Sequence, residues 1–373
     1  MTEPTGVTTM TCPTCGSVVG EGERFCENCG TELAGGEVTA TSTGDGPAVP
    51  TQAMPTLREG VVVVPVDLAV PAAACAACGG TVAADGYCEQ CGTPAPRPRD
   101  HWVDEPAPWV AAVCDRGVRH AKNEDAVAVA AAPEQGSFAA LVVCDGVSSA
   151  PDSDQASLAA ARAARDVLAA PAPDAAGSAG DAEDAGGSDA ERAMAEAGRA
   201  AHAAASDVAR RVSGTGRGNP PSTTFVAALL DGRDALVGWV GDSRAYWVPD
   251  GGGAEQLSVD DSWATEAIAL GVPRDEAESG PGAHAITRWL GADAPDPRPR
   301  TARRSLAGAG WLLLCSDGLW NYCSDAAELA GLVAATTARG ADTPRALADA
   351  LVGWAVEQGG ADNISVALAR VEA

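Results

Sequence analysis

The sequence predicts an α+β fold, with antiparallel sheets beneath layers of helices and with small metal-binding modules ahead of them. Apolar, strand-like runs follow one another across tight turns, as at 225–230 and 235–240, which is typical of antiparallel hairpins. Helix-like stretches are grouped apart from these runs, which favours helices layered on a sheet over an alternating βαβ fold. Four Cys-x-x-Cys pairs within residues 12–91 predict the metal-binding modules.

Composition and charge exclude several classes of protein. The chain has 373 residues, a net charge of −26 and 46% hydrophobic residues, but only 4% aromatic residues, so its core must consist mainly of Ala, Val and Leu. The negative charge disfavours binding to nucleic acid or to an anionic membrane. No apolar run approaches the ~20 residues that span a bilayer. Residues 1–10 lack the features of a signal peptide, so we expect a cytoplasmic protein.

The cysteine spacing predicts two structural zinc ribbons, each with four thiolate ligands. The first set is Cys12, Cys15, Cys26 and Cys29, and the second is Cys75, Cys78, Cys88 and Cys91. Two Cys-x-x-Cys pairs together provide the four ligands of a tetrahedral Zn²⁺ site. Segments this short need the ion for their folding energy. Redox thiols or disulfides are the alternative, which the missing secretory signal disfavours. Docking of a protein partner is the role that we expect of the ribbons.

Composition also divides the chain into regions. The Pro-rich stretch and the Thr-, Gly- and Pro-rich spacer are predicted to be linkers, and the acidic Ala- and Gly-rich stretch 171–189 a disordered insertion. The predicted regions are a zinc ribbon at 1–34, a linker at 35–72, a zinc ribbon at 73–93, a Pro-rich linker at 94–108 and a large domain at 109–373.

Hydrophobic patterning gives the elements of the large domain. Predicted strands cover 110–114, 126–132, 138–144, 225–230, 235–240, 245–248, 311–315 and 364–371. Predicted helices cover 154–170, 190–212, 325–338 and 343–358.

Acidic residues stand at the ends of these strands. The motifs are Glu124-Asp125, Asp145-Gly146, Asp242, Asp317-Gly318 and Asp362-Asn363. Carboxylates that meet at one rim of a sheet need cations to neutralise them, and all-oxygen ligation suits Mg²⁺ or Mn²⁺. A single Asp-Gly would indicate only a turn, whereas five such motifs in one domain favour a metal site.

Further motifs run through 109–373 in a fixed order. They are Asp115-Arg-Gly-Val-Arg119, Asn123-Glu-Asp125, Cys144-Asp145-Gly, Ser222-Thr-Thr224, Gly241-Asp-Ser-Arg-Ala-Tyr246, Ile286-Thr-Arg-Trp-Leu-Gly291, Cys315-Ser-Asp317-Gly and Asp362-Asn-Ile-Ser365. This series resembles the metal-dependent Ser/Thr protein phosphatases of the 2C type, the PPM family. The resemblance implies an αββα sandwich with a two-metal site at one edge.

The resemblance also implies roles for single residues. Asp145 would bridge two Mn²⁺ or Mg²⁺ ions, and Asn363 would orient Asp362. The implied metal ligands are Glu124, Asp125, Asp145, the Gly146 carbonyl, Asp317 and Asp362, with Asp242 and Asp317 for a weaker third ion. Asp145, Asp317 and Arg119 would be catalytic.

The implied activity is hydrolysis of phosphoserine and phosphothreonine by a hydroxide that bridges the two ions, on phosphoproteins of a Ser/Thr kinase pathway. Arg119 is the expected phosphate ligand. The family places this arginine one residue later, so His120 or Lys122 are alternatives. Val147-Ser148-Ser149 offers no general-acid histidine after Asp145-Gly146. The alternative function is a weakly active or inactive module of this fold that binds phosphoproteins and docks through its ribbons.

Overall fold

The computed structural model describes residues 9–11, 18–20, 56–66, 68, 74–83, 85–171, 188–212, 219–279, 282 and 285–373. The chain divides into two compact units, Met1–Thr56 and Leu57–Ala373. The first cysteine set lies outside the described residues, as do most of the predicted linker 35–72 and most of the predicted insertion 171–189.

The elements are numbered along the chain. The strands are β1 (Thr9–Thr11), β2 (Val18–Gly20), β3 (His101–Ala107), β4 (Val110–Asp115), β5 (Ala126–Ala131), β6 (Ala139–Cys144), β7 (Ser222–Thr223), β8 (Phe225–Asp231), β9 (Asp234–Val240), β10 (Arg244–Pro249), β11 (Glu255–Gln256), β12 (Leu290–Gly291), β13 (Arg300–Ser305), β14 (Gly310–Cys315) and β15 (Ile364–Val371). The helices are α1 (Ser153–Ala169), α2 (Asp189–Val212), α3 (Trp263–Ala269), α4 (Arg274–Ser279), α5 (Asp317–Trp320), α6 (Ala326–Thr337) and α7 (Pro344–Gln358). None of the described helices combines the length and the apolarity that crossing a membrane requires.

Two antiparallel sheets dominate the described part of the second unit. One has six strands in the order β11-β10-β14-β15-β4-β3, and the other has five in the order β13-β9-β8-β6-β5. Their facing sides share one core, in which Val129 and Leu141 belong to the same cluster as Leu312 and Ala367. Helices α1 and α2 cover the five-stranded sheet, and α6 and α7 cover the six-stranded sheet. The expected α+β class and αββα sandwich are confirmed.

Local sequence signals fix the ends of several elements. The Asp325 carboxylate accepts the Ala327 N–H at 2.7 Å and caps α6. The Thr343 side chain caps α7 in the same way by accepting the Ala346 N–H, and Pro344 lies in the first turn. Each cap satisfies an N–H group that the first turn of a helix leaves without a partner. The β8–β9 hairpin turns through Gly232, whose φ of +62° favours glycine.

Part of the predicted linker 35–72 belongs to the second unit and packs against its sheet and helices. Val62 pairs with Ala131 of β5, and its N–H donates to the Ala131 carbonyl at 2.8 Å. Leu57, Val61 and Val63 pack against the apolar cluster beneath α1 and α2. The reason is physical: β5 is the last strand of its sheet, and its unpaired backbone groups together with apolar surface attract an extended valine-rich segment.

The Pro-rich segment 94–108, predicted as a stiff linker, contributes a short 3₁₀ turn at Pro98–Asp100 and strand β3 to the large domain. Trp102 is buried, and Asp104 accepts the Val129 N–H of the other sheet at 3.1 Å. Pro106 lies where the β3–β4 register shifts, a position at which the missing N–H is tolerated. A segment with five prolines therefore still supplies a strand of the six-stranded sheet.

Candidate active site and metal centres

The register of the five-stranded sheet brings Asp125 and Asp145 together. Ala126 of β5 lies opposite Cys144 of β6, so the two aspartates just outside this pair lie side by side. Thr224, ahead of β8, accepts the Asp145 N–H at 3.0 Å, and its own N–H donates to the Asp145 carbonyl at 2.7 Å. Paired strands therefore support both carboxylates at one rim of the sheet.

The six-stranded sheet brings a second group of aspartates to its own rim. Arg244 pairs with Cys315, and Cys315 pairs with Val366. The start of β10, the end of β14 and the start of β15 therefore share one end of the sheet. The aspartates at this end are Asp242, Asp317 and Asp362.

Hydrogen bonds join the two rims. The Ser316 hydroxyl, next to β14, donates to Asp125 at 2.7 Å and accepts the Ser365 N–H at 2.9 Å. The Asn363 side-chain oxygen accepts the Glu124 N–H at 2.7 Å. The acidic motifs of the two sheets thus form one site at one edge of the sandwich.

Two of the Asp-Gly motifs need their glycine for close packing rather than for a turn. A Cβ on Gly146 would lie 2.6 Å from the Glu124 carbonyl oxygen, and a Cβ on Gly318 would lie 2.0 Å from the Asn363 carbonyl oxygen. Neither glycine has a positive φ, so a left-handed turn is not what requires it. The motifs therefore allow the loops of the site to touch.

Burial and mutual repulsion raise the pKa values of four carboxyl groups of this site, those of Asp125, Asp145, Asp242 and Asp317. Loss of hydration is the largest cause at every one, followed at Asp145 and Asp317 by the charges of neighbouring aspartates; the pKa values of both lie well above the ordinary value. The pKa rises to about 7 at Asp125 and at Asp242. A set of carboxyl groups that destabilise each other's charged forms indicates a site for cations.

Two carboxylate oxygens of these aspartates also indicate a cation site. Oδ1 of Asp125 and Oδ1 of Asp317 are buried and have no hydrogen-bond partner among the described residues. The other oxygen of Asp317 accepts the Asn321 amide at 3.0 Å. Unsatisfied buried carboxylate oxygens fit hard divalent ions such as Mn²⁺ or Mg²⁺. The residues present therefore fit the metal centre that the sequence predicts.

The second ribbon forms the tightest ligand cluster among the described residues. One sulfur from each cysteine lies within 4.8 Å of the others, in the set Cys75, Cys78, Cys88 and Cys91. The N–H groups of Ala77 and Gln90 donate to sulfurs at 3.4 Å, as in the turns that hold a thiolate-bound ion. In the part of the chain that is described, the aspartates make no group of three this close.

The structure places the candidate phosphate ligands differently from one another. Arg119 is exposed on the loop after β4, and its N–H donates to the Gly360 carbonyl at 3.3 Å. His120 is only 6% exposed, and its Nε2 lies 3.3 Å from an oxygen of Asp362. Lys122 is exposed. Of these three side chains, His120 is the one in contact with an aspartate of the site.

Several functional neighbours carried no assignment in the sequence. Ser316 and Ser365 join the aspartates of both sheets, and each lies beside an acidic motif, so adjacency was the available signal. Arg244 is 2% exposed, bonds to Asp260 at 2.7 Å and lies over the Trp320 ring at 3.7 Å. Because these partners are distant along the chain, no local pattern marks them.

Comparison with known families matches both parts of the chain. The model of the family described as protein phosphatase 2C matches residues 116–354, and that of the double zinc ribbon matches residues 12–92. A search of curated proteins gives no match.

Solved structures of bacterial phosphatases are similar to the chain. The Mycobacterium tuberculosis serine/threonine phosphatase PstP/Ppp is 26% identical with a TM-score of 0.54, over 71% of this chain and 98% of that chain. The catalytic domain of PstP in complex with 2 manganese ions is 26% identical with a TM-score of 0.50, over 70% of this chain and 98% of that chain. The S. agalactiae serine/threonine phosphatase shares the fold at 22% identity, with a TM-score of 0.53, over 73% of this chain and 100% of that chain. Since the phosphatase match covers more than half of its residues, this chain belongs to the protein phosphatase 2C family.

Proposed function

We propose that the chain hydrolyses phosphoserine and phosphothreonine in proteins, with Mn²⁺ or Mg²⁺ at the edge of the sandwich. The observation that carries this proposal is the meeting of acidic motifs from both sheets, with buried, unpartnered oxygens on Asp125 and Asp317. These two oxygens have no hydrogen-bond partner among the described residues, and divalent ions would provide one. The similar phosphatase with 2 manganese ions supports the choice of metal.

The residues that would hold the ions are those at the two rims. We assign two ions to Glu124, Asp125, Asp145, the Gly146 carbonyl, Asp317 and Asp362, and a weaker third to Asp242 with Asp317. When bound, such ions would lower the pKa of a water molecule and neutralise charge on the phosphoryl group.

The chain's own residues orient these ligands. The Thr223 hydroxyl donates to the Asp145 carbonyl at 2.8 Å, which fixes the backbone from which that carboxylate projects. The Asn363 N–H donates to an oxygen of Asp362 at 2.7 Å, and its side-chain amide donates to the Arg116 carbonyl at 2.8 Å. Asn363 is therefore the proposed orienting residue of Asp362, since bonds of this kind preset a ligand before it binds.

Binding of the phosphate group falls to the loop after β4. We keep Arg119 as the proposed ligand because an exposed guanidinium can reach a phosphoprotein that approaches the rim, and its fork suits phosphate oxygens. His120 lies nearer to Asp362, so its proposed part is to support that carboxylate.

The two cysteine sets are proposed to hold one structural zinc ion each. Four thiolates in a closed set suit Zn²⁺, and the second set already has its sulfurs close together. We further propose a cytoplasmic location, phosphoprotein substrates of a Ser/Thr kinase pathway and a protein partner for the ribbons.

The test is hydrolysis of p-nitrophenyl phosphate and of a phosphothreonine peptide by the full chain. We expect activity that requires Mn²⁺ or Mg²⁺ and is absent in Asp145→Asn. Binding of the peptide without turnover in the presence of metal would contradict the proposal and would favour a phosphoprotein-binding module.

A further inference from the structure

The short 3₁₀ turn ahead of β3 lies against the loop that carries Glu124 and Asp125. Arg99 Nε donates to the Asn123 carbonyl at 2.9 Å, and its Nη2 donates to the Asp125 carbonyl at 3.0 Å. In return, the Asn123 side-chain amide donates to the Arg99 carbonyl at 3.0 Å. One guanidinium therefore spans the loop from one side of the acidic motif to the other.

Neighbouring contacts hold this guanidinium in place. Arg99 lies over the ring of the buried Trp102, with 5.5 Å from Cζ to the ring centre. Its Nη2 also donates to the Ser157 hydroxyl of α1 at 3.3 Å, and that hydroxyl donates to the Glu124 carbonyl. Arg99 and Ser157 together contact the carbonyls of three consecutive residues, the last two of which bear proposed metal ligands.

A second pair of contacts ties the 3₁₀ turn to an earlier part of the same loop. The Arg116 N–H donates to the Asp100 carbonyl at 2.8 Å, and Arg97 Nη2 donates to the Ala121 carbonyl. Residues 97–100 therefore bond to four residues of the loop between β4 and β5, namely Arg116, Ala121, Asn123 and Asp125. We call residues 97–100 the loop brace.

We propose that Arg99 is a positioning residue that presets the 123–125 loop for metal binding. It acts through backbone carbonyls and touches neither substrate nor ion. The inference rests on the proposed function, because it assigns Glu124 and Asp125 to the metal centre. Groups that orient metal ligands in this way typically change metal affinity by about 10–100-fold when they are removed.

The brace also lies close to the second ribbon along the chain. Cys91 precedes Arg99 by eight residues, and Pro94, Pro96 and Pro98 occupy the connection. Prolines limit the freedom of such a segment. The residues that set the metal loop thus follow directly from a ribbon proposed to fold around zinc.

Arg58 provides a matched control. Its Nε donates to the Ala170 carbonyl at 2.9 Å, and its guanidinium lies 4.5 Å from the centre of the Phe138 ring. It is partly buried, like Arg99, and makes the same two kinds of contact far from the acidic loop. If each arginine only stabilises the fold, the two substitutions should change the Mn²⁺ affinity to a similar extent. If Arg99 also positions the loop, Arg99→Met alone should weaken Mn²⁺ binding.

The experiment compares Arg99→Met and Arg58→Met in the full chain. Mn²⁺ affinity is measured by electron paramagnetic resonance of the free ion, and amide hydrogen exchange of 121–126 is measured in metal-free protein. We expect Arg99→Met to weaken Mn²⁺ binding by about 10–100-fold and to speed exchange in the loop, with kcat recovering at saturating Mn²⁺. Arg58→Met should leave the Mn²⁺ affinity within about 2-fold of wild type, since its contacts are remote from the site.

Equal Mn²⁺ affinity in wild type and a folded Arg99→Met would overturn the inference while leaving the phosphatase proposal intact. A wild-type chain that binds no Mn²⁺ would overturn both. Should Arg99→Met not fold, Arg99→Lys serves in its place, because one ammonium cannot reproduce the two-nitrogen span. We expect a several-fold loss of Mn²⁺ affinity there, and an unchanged affinity would again refute the role.

Discussion

The second ribbon and the acidic centre assemble their ligands in opposite ways. The ribbon draws four sulfurs from a stretch of 17 residues, 75–91, and half of these cysteines are exposed. The acidic centre draws its proposed ligands from residues 124–362 and sets them at the ends of strands from two sheets that bury a shared core. In the ribbon a bound ion would hold the fold together, whereas in the large domain the fold would form first and then hold the ions. On the proposed function, the same chain would use metal for stability in one place and for chemistry in another.

Removal of the Asp145 carboxylate is the test of this contrast with the largest expected effect. Asp145→Asn should lower kcat/KM by about 10³-fold or more, because the site loses charge that ions and the developing phosphoryl group require. The zinc content of the protein should stay close to wild type. Steady-state kinetics with elemental analysis checks both expectations, and a parallel loss of zinc would show that the two centres are not independent.

The complementary change is made in the ribbon. Cys88→Ser should reduce the zinc content from two ions to one, and residues 74–92 should then become sensitive to protease, because apparent zinc binding contributes about 10–16 kcal/mol to such modules. Activity on p-nitrophenyl phosphate should remain. Full protection of the ribbon in this variant would mean that packing, not the ion, stabilises it.

A smaller effect is expected at the phosphate loop. Arg119→Ala should raise KM for a phosphopeptide by about 10-fold, as loss of one charge-assisted hydrogen bond predicts, with little change in kcat. His120→Ala should instead weaken Mn²⁺ binding, since His120 contacts Asp362. Separate measurement of KM and of metal affinity distinguishes the two. An unaltered KM in Arg119→Ala would exclude it as the phosphate ligand.

The smallest effect concerns a buried carboxylate that no proposed ion neutralises. Burial raises the pKa of Asp104 to about 6 from an ordinary 3.8, so its charged form destabilises the folded state. Stability is therefore lost as the pH rises from about 4 to about 6.

Replacement of this carboxylate tests the sign of the effect. Asp104→Asn should be about 1–2 kcal/mol more stable than wild type at pH 7.5, and the difference should vanish near pH 4. Urea unfolding at both pH values measures it. A difference of the same size at both would show that charge is not the cause.

The features of the molecule that could be predicted are those that depend on local sequence patterns. Paired cysteines three residues apart and apolar runs that end in Asp-Gly give the ribbon, most strands and the acidic motifs, because ligand spacing and strand period are short-range properties. Strand β13 has the sequence Arg-Thr-Ala-Arg-Arg-Ser and is mostly exposed, so it lacks the apolar pattern that identifies a strand.

What escaped prediction depends on partners that the fold brings together. The pairing of Val62 with Ala131 and the hydrogen bond from Arg99 to the Asp125 carbonyl exist only in the folded chain. The sequence of 94–108 shows five prolines, but it does not show that Trp102 has a buried place beside β4. The proposed site residues could be predicted from motifs. The contacts that orient them join side chains to backbone groups, so no residue spacing in the sequence indicates them.

Strand β3 covers the edge of its sheet at β4, and Val62 bonds to the edge strand of the other sheet at Ala131. A shortened protein that began at residue 109 would leave the backbone donors and acceptors along β4, and those of Ala131, open to solvent. Open edges of this kind recruit other chains. We therefore expect such a fragment to self-associate at high concentration through the uncovered edge of β4.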